Sequence, residues 1–390
     1  MRVINTEKIP IKMWLDDIED GALEQAKNLA NLPFAFNHIA IMPDSHQGYG
    51  MPIGGVLATK GVIIPNAVGV DIGCGMCAVK TTLTNIDQDQ LKKIMNEIRK
   101  VIPLGFNKHK EEQDYTLMPD WTEFKNFENS VCAKENDNAL KSLGTLGGGN
   151  HFIEIQKGSD GHIWIMIHSG SRNLGKQVAD HYNKIAVDLN QKWHSQVPKE
   201  WELAFLPIDS KEGQEYIDEM NYCVEFALAN TGVMMDRILT IINDIHEGGM
   251  EFEPMINIAH NYARMENHFG QNVMVHRKGA TLADENTIGI IPGSQGTKSY
   301  IVKGKGNPES FNSCSHGAGR KMGRKEAERR LNLEEEIKKL DSQGVLHAIR
   351  GVKQLDEAPG AYKDIDIVMS NQKDLVEILV ELMPLAVVKG

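Results

Sequence analysis

A carboxylate and a thiol lie three positions apart in a segment rich in glycine, and together they could hold a metal ion. Asp71 and Cys74 belong to the run Asn66-Ala67-Val68-Gly69-Val70-Asp71-Ile72-Gly73-Cys74-Gly75-Met76. Glycine adopts positive φ angles without strain, so such a segment can approach an ion closely. Two ligands do not complete a metal site, and the others must come from elsewhere in the chain.

Three histidines lie beside glycine- or serine-rich breaks near the ends of predicted elements. They are His151, His168 and His260. Imidazole, thiolate and carboxylate groups together suit a divalent transition metal such as manganese, zinc or iron, and a bridging thiolate suits a site for two metals. A single histidine of this kind is more often a hydrogen-bonded core residue. The repeated placement beside glycine clusters is what favours metal ligands.

Cys74 and Cys77 also form a CxxC pair, which occurs in redox sites and in half of a zinc site. The sequence contains no second CxxC. The residues after Cys77 predict a strand, whereas a thioredoxin-type site needs a helix there to lower the pKa of the thiol. Redox chemistry is therefore the weaker alternative, and Cys77 is predicted to be structural.

Asp44 and His46 lie in a segment rich in glycine and proline, residues 43–55, which is predicted to be a loop after a buried strand at 36–42. Strand ends that open into loops are frequent positions for functional residues. Both residues are therefore candidates. A turn-capping aspartate and a surface histidine remain an equal alternative.

His316 differs from the metal candidates because serine and glycine surround it and a basic segment follows it. Arg320 and Arg324 are predicted to lie one turn apart on one face at the start of a charged helix. A neutral imidazole at this place could attack phosphorus while the two guanidinium groups and the helix N-terminus hold phosphates. The competing interpretation is a turn histidine followed by a solvated basic helix.

The chain has 390 residues, a net charge of −11 and five cysteines without regular spacing. This cysteine pattern does not describe a disulfide framework. No apolar run approaches the roughly 20 residues of a membrane span, and the first residues lack the apolar region of a signal peptide, so we expect a cytoplasmic protein without a membrane partner. The acidic charge excludes a surface coated with basic residues, so any contact with nucleic acid has to be local.

The segments that must position these residues are buried strands and helices without a regular βαβ rhythm. This pattern predicts a mixed α/β (α+β) fold, a single domain over residues 1–390 whose central β-sheets cup the metal site. Helices are predicted at residues 16–31, 88–100, 175–193, 214–246 and 323–340, and an irregular polar excursion at 103–140.

Nine sequence blocks, in the right order along the chain, resemble the RtcB family of RNA-splicing and repair ligases. The blocks are Pro43-Asp44-Ser45-His46-Gln47-Gly48, Gly69-Val70-Asp71-Ile72-Gly73-Cys74-Gly75, Gly149-Asn150-His151-Phe152-Ile153-Glu154, His168-Ser169-Gly170-Ser171-Arg172, His260-Asn261, Pro292-Gly293-Ser294, Ser313-Cys314-Ser315-His316-Gly317-Ala318-Gly319-Arg320, Ala361-Tyr362-Lys363 and Val388-Lys389-Gly390. They span essentially the whole chain, and nine ordered blocks are far more specific than any single glycine motif.

The resemblance implies a GTP- and manganese-dependent ligase with a single RtcB-like domain. Such an enzyme joins RNA that ends in a 2′,3′-cyclic phosphate or 3′-phosphate to RNA with a 5′-hydroxyl. The resemblance places the nucleophile on His316, which would form a covalent guanylate through a ring nitrogen. Asp44 falls on an acidic position important for catalysis, and it could accept the proton of the 5′-hydroxyl.

The resemblance also implies a ligand set for two manganese ions, a guanylate pocket and contacts with RNA. One ion would be held by Asp71, Cys74 and His151, and the other by Cys74, His168 and His260, with Cys74 bridging. The guanylate pocket would comprise Asn150, Glu154, Ser294, Tyr362 and Lys389, and the phosphate and RNA contacts would be Arg172, Arg320 and Arg324. An archease is implied as a candidate activating partner, because some relatives require one. Gly323 departs from the family pattern, in which serine is usual.

Two other functions remain as alternatives. A dinuclear metallohydrolase acting on phosphodiesters would use the same metal ligands, and His316 would form no covalent intermediate. A metal- or RNA-binding protein without enzymatic activity is less favoured, because many chemically competent residues would have no role in it.

Overall fold

The computed structural model describes residues 1–122, 124, 126–246 and 248–390. The strands are β1 (Arg2–Ile4), β2 (Ile11–Met13), β3 (Ala35–His46), β4 (Ile53–Thr59), β5 (Val62–Ile63), β6 (Gly75–Lys80), β7 (Phe152–Gly158), β8 (Ile163–Ser169), β9 (Leu206–Pro207), β10 (Ile256–Ala259), β11 (Asn261–His268), β12 (Gln271–Lys278), β13 (Ala280–Leu282), β14 (Ile288–Ile291), β15 (Ser299–Gly304), β16 (Ser313–Ser315) and β17 (Val376–Lys389). The helices are α1 (Asp20–Ala30), α2 (Pro65–Val68), α3 (Gln88–Val101), α4 (Val131–Lys134), α5 (Asn136–Ser142), α6 (Leu174–Lys192), α7 (Lys211–His246), α8 (Arg324–Arg330), α9 (Leu333–Ser342) and α10 (Ile365–Ser370). None of these helices is both long and apolar enough to cross a membrane.

Two large sheets form the centre of the molecule and confirm the predicted mixed α/β (α+β) fold. The first is an antiparallel seven-stranded sheet in the order β10-β6-β8-β7-β17-β15-β14. Its edge strands β10 and β14 approach each other to within 8 Å between Cα atoms, so the sheet is curled almost into a barrel. The second has six strands in the order β1-β2-β3-β4-β12-β11, in which β2 and β3 pair parallel and the other neighbours pair antiparallel.

Helices α3 and α7 cover one face of the seven-stranded sheet. Ile153, Ile165 and Ile167 point from β7 and β8 into a core that also contains Met234 and Met235 of α7. Full burial of side chains of this size contributes about 1.5–3 kcal/mol each. The two methionines therefore serve packing, and one continuous 36-residue helix spans the segment predicted to be helical at 214–246.

Asp44 lies in a strand and not in the loop predicted for residues 43–55. β3 continues through Pro43 to His46, and its pairing with β4 is irregular between Ile41 and His46. Proline lacks the N–H that a regular ladder uses, so an interruption at this point allows it within the strand. The loop prediction holds only for residues 47–52, because β4 begins at Ile53.

The charged helix predicted at residues 323–340 is interrupted. α8 ends at Arg330, and Asn332 starts α9 by accepting hydrogen bonds from the backbone N–H groups of Glu334 and Glu335. Asparagine favours this capping position because its side chain competes with the backbone of a continuous helix. Two short helices therefore replace one long helix.

Candidate active site

The five predicted metal ligands converge at one end of the seven-stranded sheet. Asp71 and Cys74 precede β6, His151 precedes β7, His168 lies within β8, and His260 follows β10. Because β8 pairs with both β6 and β7, and β10 pairs with β6, the ends of these strands are neighbours. Residues separated by up to 189 positions in the sequence are thereby brought together.

The distances divide these ligands into two overlapping groups. The ligand atoms of Cys74, His168 and His260 lie within 4.8 Å of one another, and so do those of Asp71, Cys74 and His151. Cys74 Sγ is 3.3 Å from His168 Nε2 and 3.5 Å from His151 Nε2. Cys74 belongs to both groups, so its sulfur lies within reach of both sets of ligand atoms.

The protonation of these groups fits a divalent transition metal. Burial lowers the pKa of His168 and of His260 well below its ordinary value, so both imidazoles are neutral and offer a lone pair. His151 Nδ1 donates to the carbonyl of Leu146 at 3.0 Å, which leaves Nε2 as the ligand atom. Burial raises the pKa of Cys74, so a cation must displace the thiol proton to bind.

His316 is fixed by Asp44. One oxygen of this carboxylate, Oδ2, accepts from His316 Nδ1–H at 2.6 Å and from the backbone N–H groups of His316 and Gly317 at 3.1 and 3.2 Å. Gly319 allows this approach, because a Cβ atom there would lie 2.1 Å from the carbonyl oxygen of Asp44. In the neutral imidazole, a proton held on Nδ1 by this bond leaves the lone pair on Nε2.

Two cavities meet at His316, whose ring centroid lies 4.8 Å from that of His260. The first cavity is lined by all five residues assigned to the guanylate pocket, Asn150, Glu154, Ser294, Tyr362 and Lys389, and by Arg320 and Arg324. The second has a volume of about 690 Å³ and is lined by Asp71, Cys74, His260, Lys278 and Arg324, among others. A group in either cavity can therefore reach the same imidazole.

The three predicted phosphate-binding arginines do not lie on one helix. Arg320 precedes α8 and Arg324 is its first residue, so the prediction that both share one helix face was wrong. Arg172 follows β8, and its Nε donates to Thr145 Oγ1 at 3.0 Å while its Nη2 donates to the carbonyl of Gly105 at 3.1 Å. Arg320 and Arg324 thus line the first cavity, whereas Arg172 contacts the segment that precedes His151.

Comparison with known proteins identifies the family. A family model described as tRNA-splicing ligase RtcB matches residues 25–390. The chain is 40% identical to the RNA-splicing ligase RtcB of Escherichia coli K12, over an alignment that covers 100% of this chain and 99% of that protein. The chain belongs to the RtcB family.

More distant RtcB proteins align over most of their length as well. The tRNA-splicing ligase RtcB of Thermococcus kodakarensis is 31% identical, with 98% of this chain and 95% of that protein covered. The RNA-splicing ligase RtcB homolog 1 of Entamoeba dispar is 33% identical, with 95% and 82% covered. Every residue of the predicted site, from Asp44 to Lys389, lies within the region that the RtcB family model matches.

Glu357 is a buried residue of this RtcB site that the sequence analysis missed. Its carboxylate lies 3.0 Å from Arg320 Nη1, 3.4 Å from Arg324 Nε and 3.4 Å from Lys389 Nζ, and it also accepts from the hydroxyl of Tyr362. Burial raises the pKa of Glu357, but the neighbouring cations and this hydroxyl outweigh burial and hold the pKa below its ordinary value. The only sequence signal was its place shortly before the block that contains Tyr362.

Lys278 is a second residue that the sequence analysis missed. It lies at the end of β12, where burial lowers its pKa to about 7. Its Nζ donates to the carbonyls of Tyr49 and Asn66 at 2.6 and 3.0 Å. A lysine at the end of a buried strand was the available signal, and its position beside the second cavity became visible only in the structure.

Proposed function

We propose that this RtcB protein is a GTP- and manganese-dependent RNA ligase. It joins RNA with a 2′,3′-cyclic phosphate or 3′-phosphate end to RNA with a 5′-hydroxyl end. The 2.6 Å hydrogen bond from His316 to Asp44, beside five clustered metal-ligand side chains, is the observation that supports this proposal most directly. A nucleophilic imidazole with a fixed tautomer next to a metal cluster suits nucleotidyl transfer.

His316 performs two displacements in this proposal. Its Nε2 attacks the α-phosphorus of GTP, the new N–P bond forms, and pyrophosphate leaves. The RNA 3′-phosphate then takes the guanylyl group and frees the imidazole, and the 5′-hydroxyl of the second RNA displaces GMP. Asp44 is 0% exposed and already accepts three hydrogen bonds, which supports a role in positioning His316 more than acceptance of the 5′-hydroxyl proton.

Asp71, Cys74, His151, His168 and His260 are the proposed manganese ligands. Two such ions, when bound, would polarise the phosphates and neutralise developing charge. The chain itself supplies neutral imidazoles and excludes water, since Cys74, His168 and His260 are each at most 5% exposed. The low exposure strengthens every electrostatic interaction in the site.

The remaining assignments are the guanylate pocket and the contacts with phosphates and RNA. Asn150, Glu154, Ser294, Tyr362 and Lys389 are proposed to hold guanylate, and Arg172, Arg320 and Arg324 to contact phosphates and RNA. We further propose that residues 1–390 act as one ligase domain in the cytoplasm. An archease is the candidate activator, and its addition is expected to increase repeated turnovers.

Formation of the covalent guanylate tests the proposal. The protein is incubated with manganese and α-labelled GTP, and label is measured on the denatured chain. Wild type is expected to retain label and His316→Ala to retain none, because the alanine variant has no nucleophilic nitrogen. His194→Ala is a matched control, since His194 is exposed, and it is expected to label like wild type.

The alternative hydrolase gives a different result in the same experiment. An unlabelled wild-type chain that cleaves phosphodiesters with manganese would contradict the ligase and support the hydrolase. Equal labelling of wild type and His316→Ala would contradict the assignment of the nucleophile.

A further inference from the structure

Among the described residues, Phe106 has the most exposed large hydrophobic side chain, with a relative exposure of 101%. Burial of a phenylalanine side chain is ordinarily favourable, and the exposed ring of Phe106 does not contribute this free energy. Single exposed apolar residues are common on protein surfaces. The position and the anchoring of Phe106 therefore decide whether it has a role.

The backbone that carries Phe106 is held in place on both sides. Gly105 N–H donates to the carbonyl of Gly147 at 3.0 Å, and Asn107 N–H donates to the carbonyl of Leu104 at 3.2 Å. Leu104 and Gly147 also form a parallel β-bridge. The ring is thus presented to solvent by an anchored turn.

The anchor of this turn is part of the candidate active site. A Cβ atom on Gly147 would lie 2.5 Å from Nδ1 of His151, a proposed metal ligand. The carbonyl of Gly105 accepts from Arg172 Nη2 at 3.1 Å. Phe106 therefore lies at the rim of the site, next to the residue that receives a proposed RNA-binding arginine.

The charge near Phe106 is mixed. Lys108 and Lys110 follow Phe106 in the sequence and are exposed, as are Glu111 and Glu112. These charges balance each other, so the turn does not bind polyanions by electrostatics alone. Arg172, which donates to the carbonyl of Gly105, supplies positive charge beside the turn.

We propose that Phe106 is a stacking platform for one base of the RNA substrate, close to the end that reacts. This inference rests on the proposed ligase function. Single-stranded RNA ends expose unstacked bases, and proteins bind such bases on aromatic side chains. Every base has a π-face, so this contact holds RNA of varied sequence.

Direct binding of RNA tests the inference without turnover. The dissociation constant of a short, labelled single-stranded RNA with a 3′-phosphate is measured by fluorescence anisotropy on the full chain. Phe106→Ala is expected to weaken binding roughly 5- to 150-fold, and Phe106→Trp to restore it. Phe252→Ala removes another exposed phenylalanine, 56% exposed, and is expected to bind like wild type.

RNAs with a single abasic position identify the stacked base. Each of the first four positions from the 3′ end is made abasic in turn. One position is expected to weaken binding to wild type but to cause no further loss in Phe106→Ala. The same fold-loss at every position in both proteins would contradict stacking on this ring.

Guanylate labelling separates the two proposals, because it requires no RNA. If wild type takes up label while Phe106→Ala binds RNA as tightly as wild type, the platform is wrong and the ligase proposal stands. If wild type neither takes up label nor binds RNA, both proposals fail.

Discussion

At the scale of single residues, the chemistry depends on which nitrogen of His316 carries the proton. The Asp44 carboxylate holds the proton on Nδ1, and the two backbone N–H groups that share the same oxygen prevent the carboxylate from turning away. Asp44 and His316 are separated by 272 positions in the sequence. The pair resembles the aspartate and histidine of a hydrolytic triad in its geometry but differs in its use, because here the imidazole itself is the proposed nucleophile.

Asp44→Ala tests this positioning role. Alanine removes the oxygen that accepts from Nδ1–H, so the ring can turn and can carry its proton on either nitrogen. Guanylylation is expected to slow by roughly 10²- to 10⁴-fold, the range for losing the carboxylate that orients a catalytic imidazole. The measurement is the single-turnover rate of label uptake from GTP, with circular dichroism to verify the fold. A rate within about threefold of wild type would exclude control of the tautomer by Asp44.

At the scale of elements, the glycine-rich loop between α5 and β7 positions one side of the metal cluster. Gly147 has a φ of +94°, which L side chains rarely adopt. A Cβ atom there would also lie 2.0 Å from Arg172 Nη1 and 2.5 Å from His151 Nδ1. Gly148 is open by comparison, since its nearest neighbour, the Cα atom of Gly105, is 3.6 Å away.

Gly147→Ala and Gly148→Ala form a matched pair of variants. The first is expected to displace His151 and Arg172 and to lower manganese affinity by roughly 10- to 100-fold, as other changes that disturb the orientation of a ligand do. The second is expected to bind manganese like wild type. Isothermal titration with MnCl₂ measures both. Equal affinities in the two variants would show that the loop does not position His151.

At the scale of the whole molecule, the buried ionisable groups make stability depend on pH. Burial raises the pKa of Glu154 from 4.5 to about 8, against a hydrogen bond from Gln156 and the charge of Lys389. Between these two pH values the unfolded chain releases the Glu154 proton and the folded chain keeps it. This group therefore lowers the free energy of unfolding as pH rises from 4.5 to about 8.

Glu154→Gln removes this titration. The free energy of unfolding of wild type is expected to fall more steeply than that of the variant as pH rises, by up to about 1.4 kcal/mol per pH unit. Urea titrations at several pH values across this window measure the difference. Parallel curves for the two proteins would contradict a raised pKa at Glu154.

The sequence by itself determined the residue types of the site and most of the elements that carry them. Apolar periodicity predicted α3 and α6 to within about two residues, because these helices bury one continuous face. The glycine clusters indicated where Cys74, His151 and His168 would lie. The ordered blocks of residues were enough to indicate the family, because each block can be recognised in the sequence without knowing which residues lie next to it in space.

The tertiary structure decided how the segments pair and which side chains meet. Strand order in the curled sheet comes from long-range hydrogen bonds, and no local pattern encodes it. Asp44 became the partner of His316 only when β3 and the segment after β16 came together. Glu357 and Phe106 lie outside the residues assigned from the sequence. Glu357 became significant because it is buried among cations, and Phe106 because it is fully exposed at the rim of the site. Contacts of this kind depend on three-dimensional proximity, which the spacing of residues along one chain does not specify.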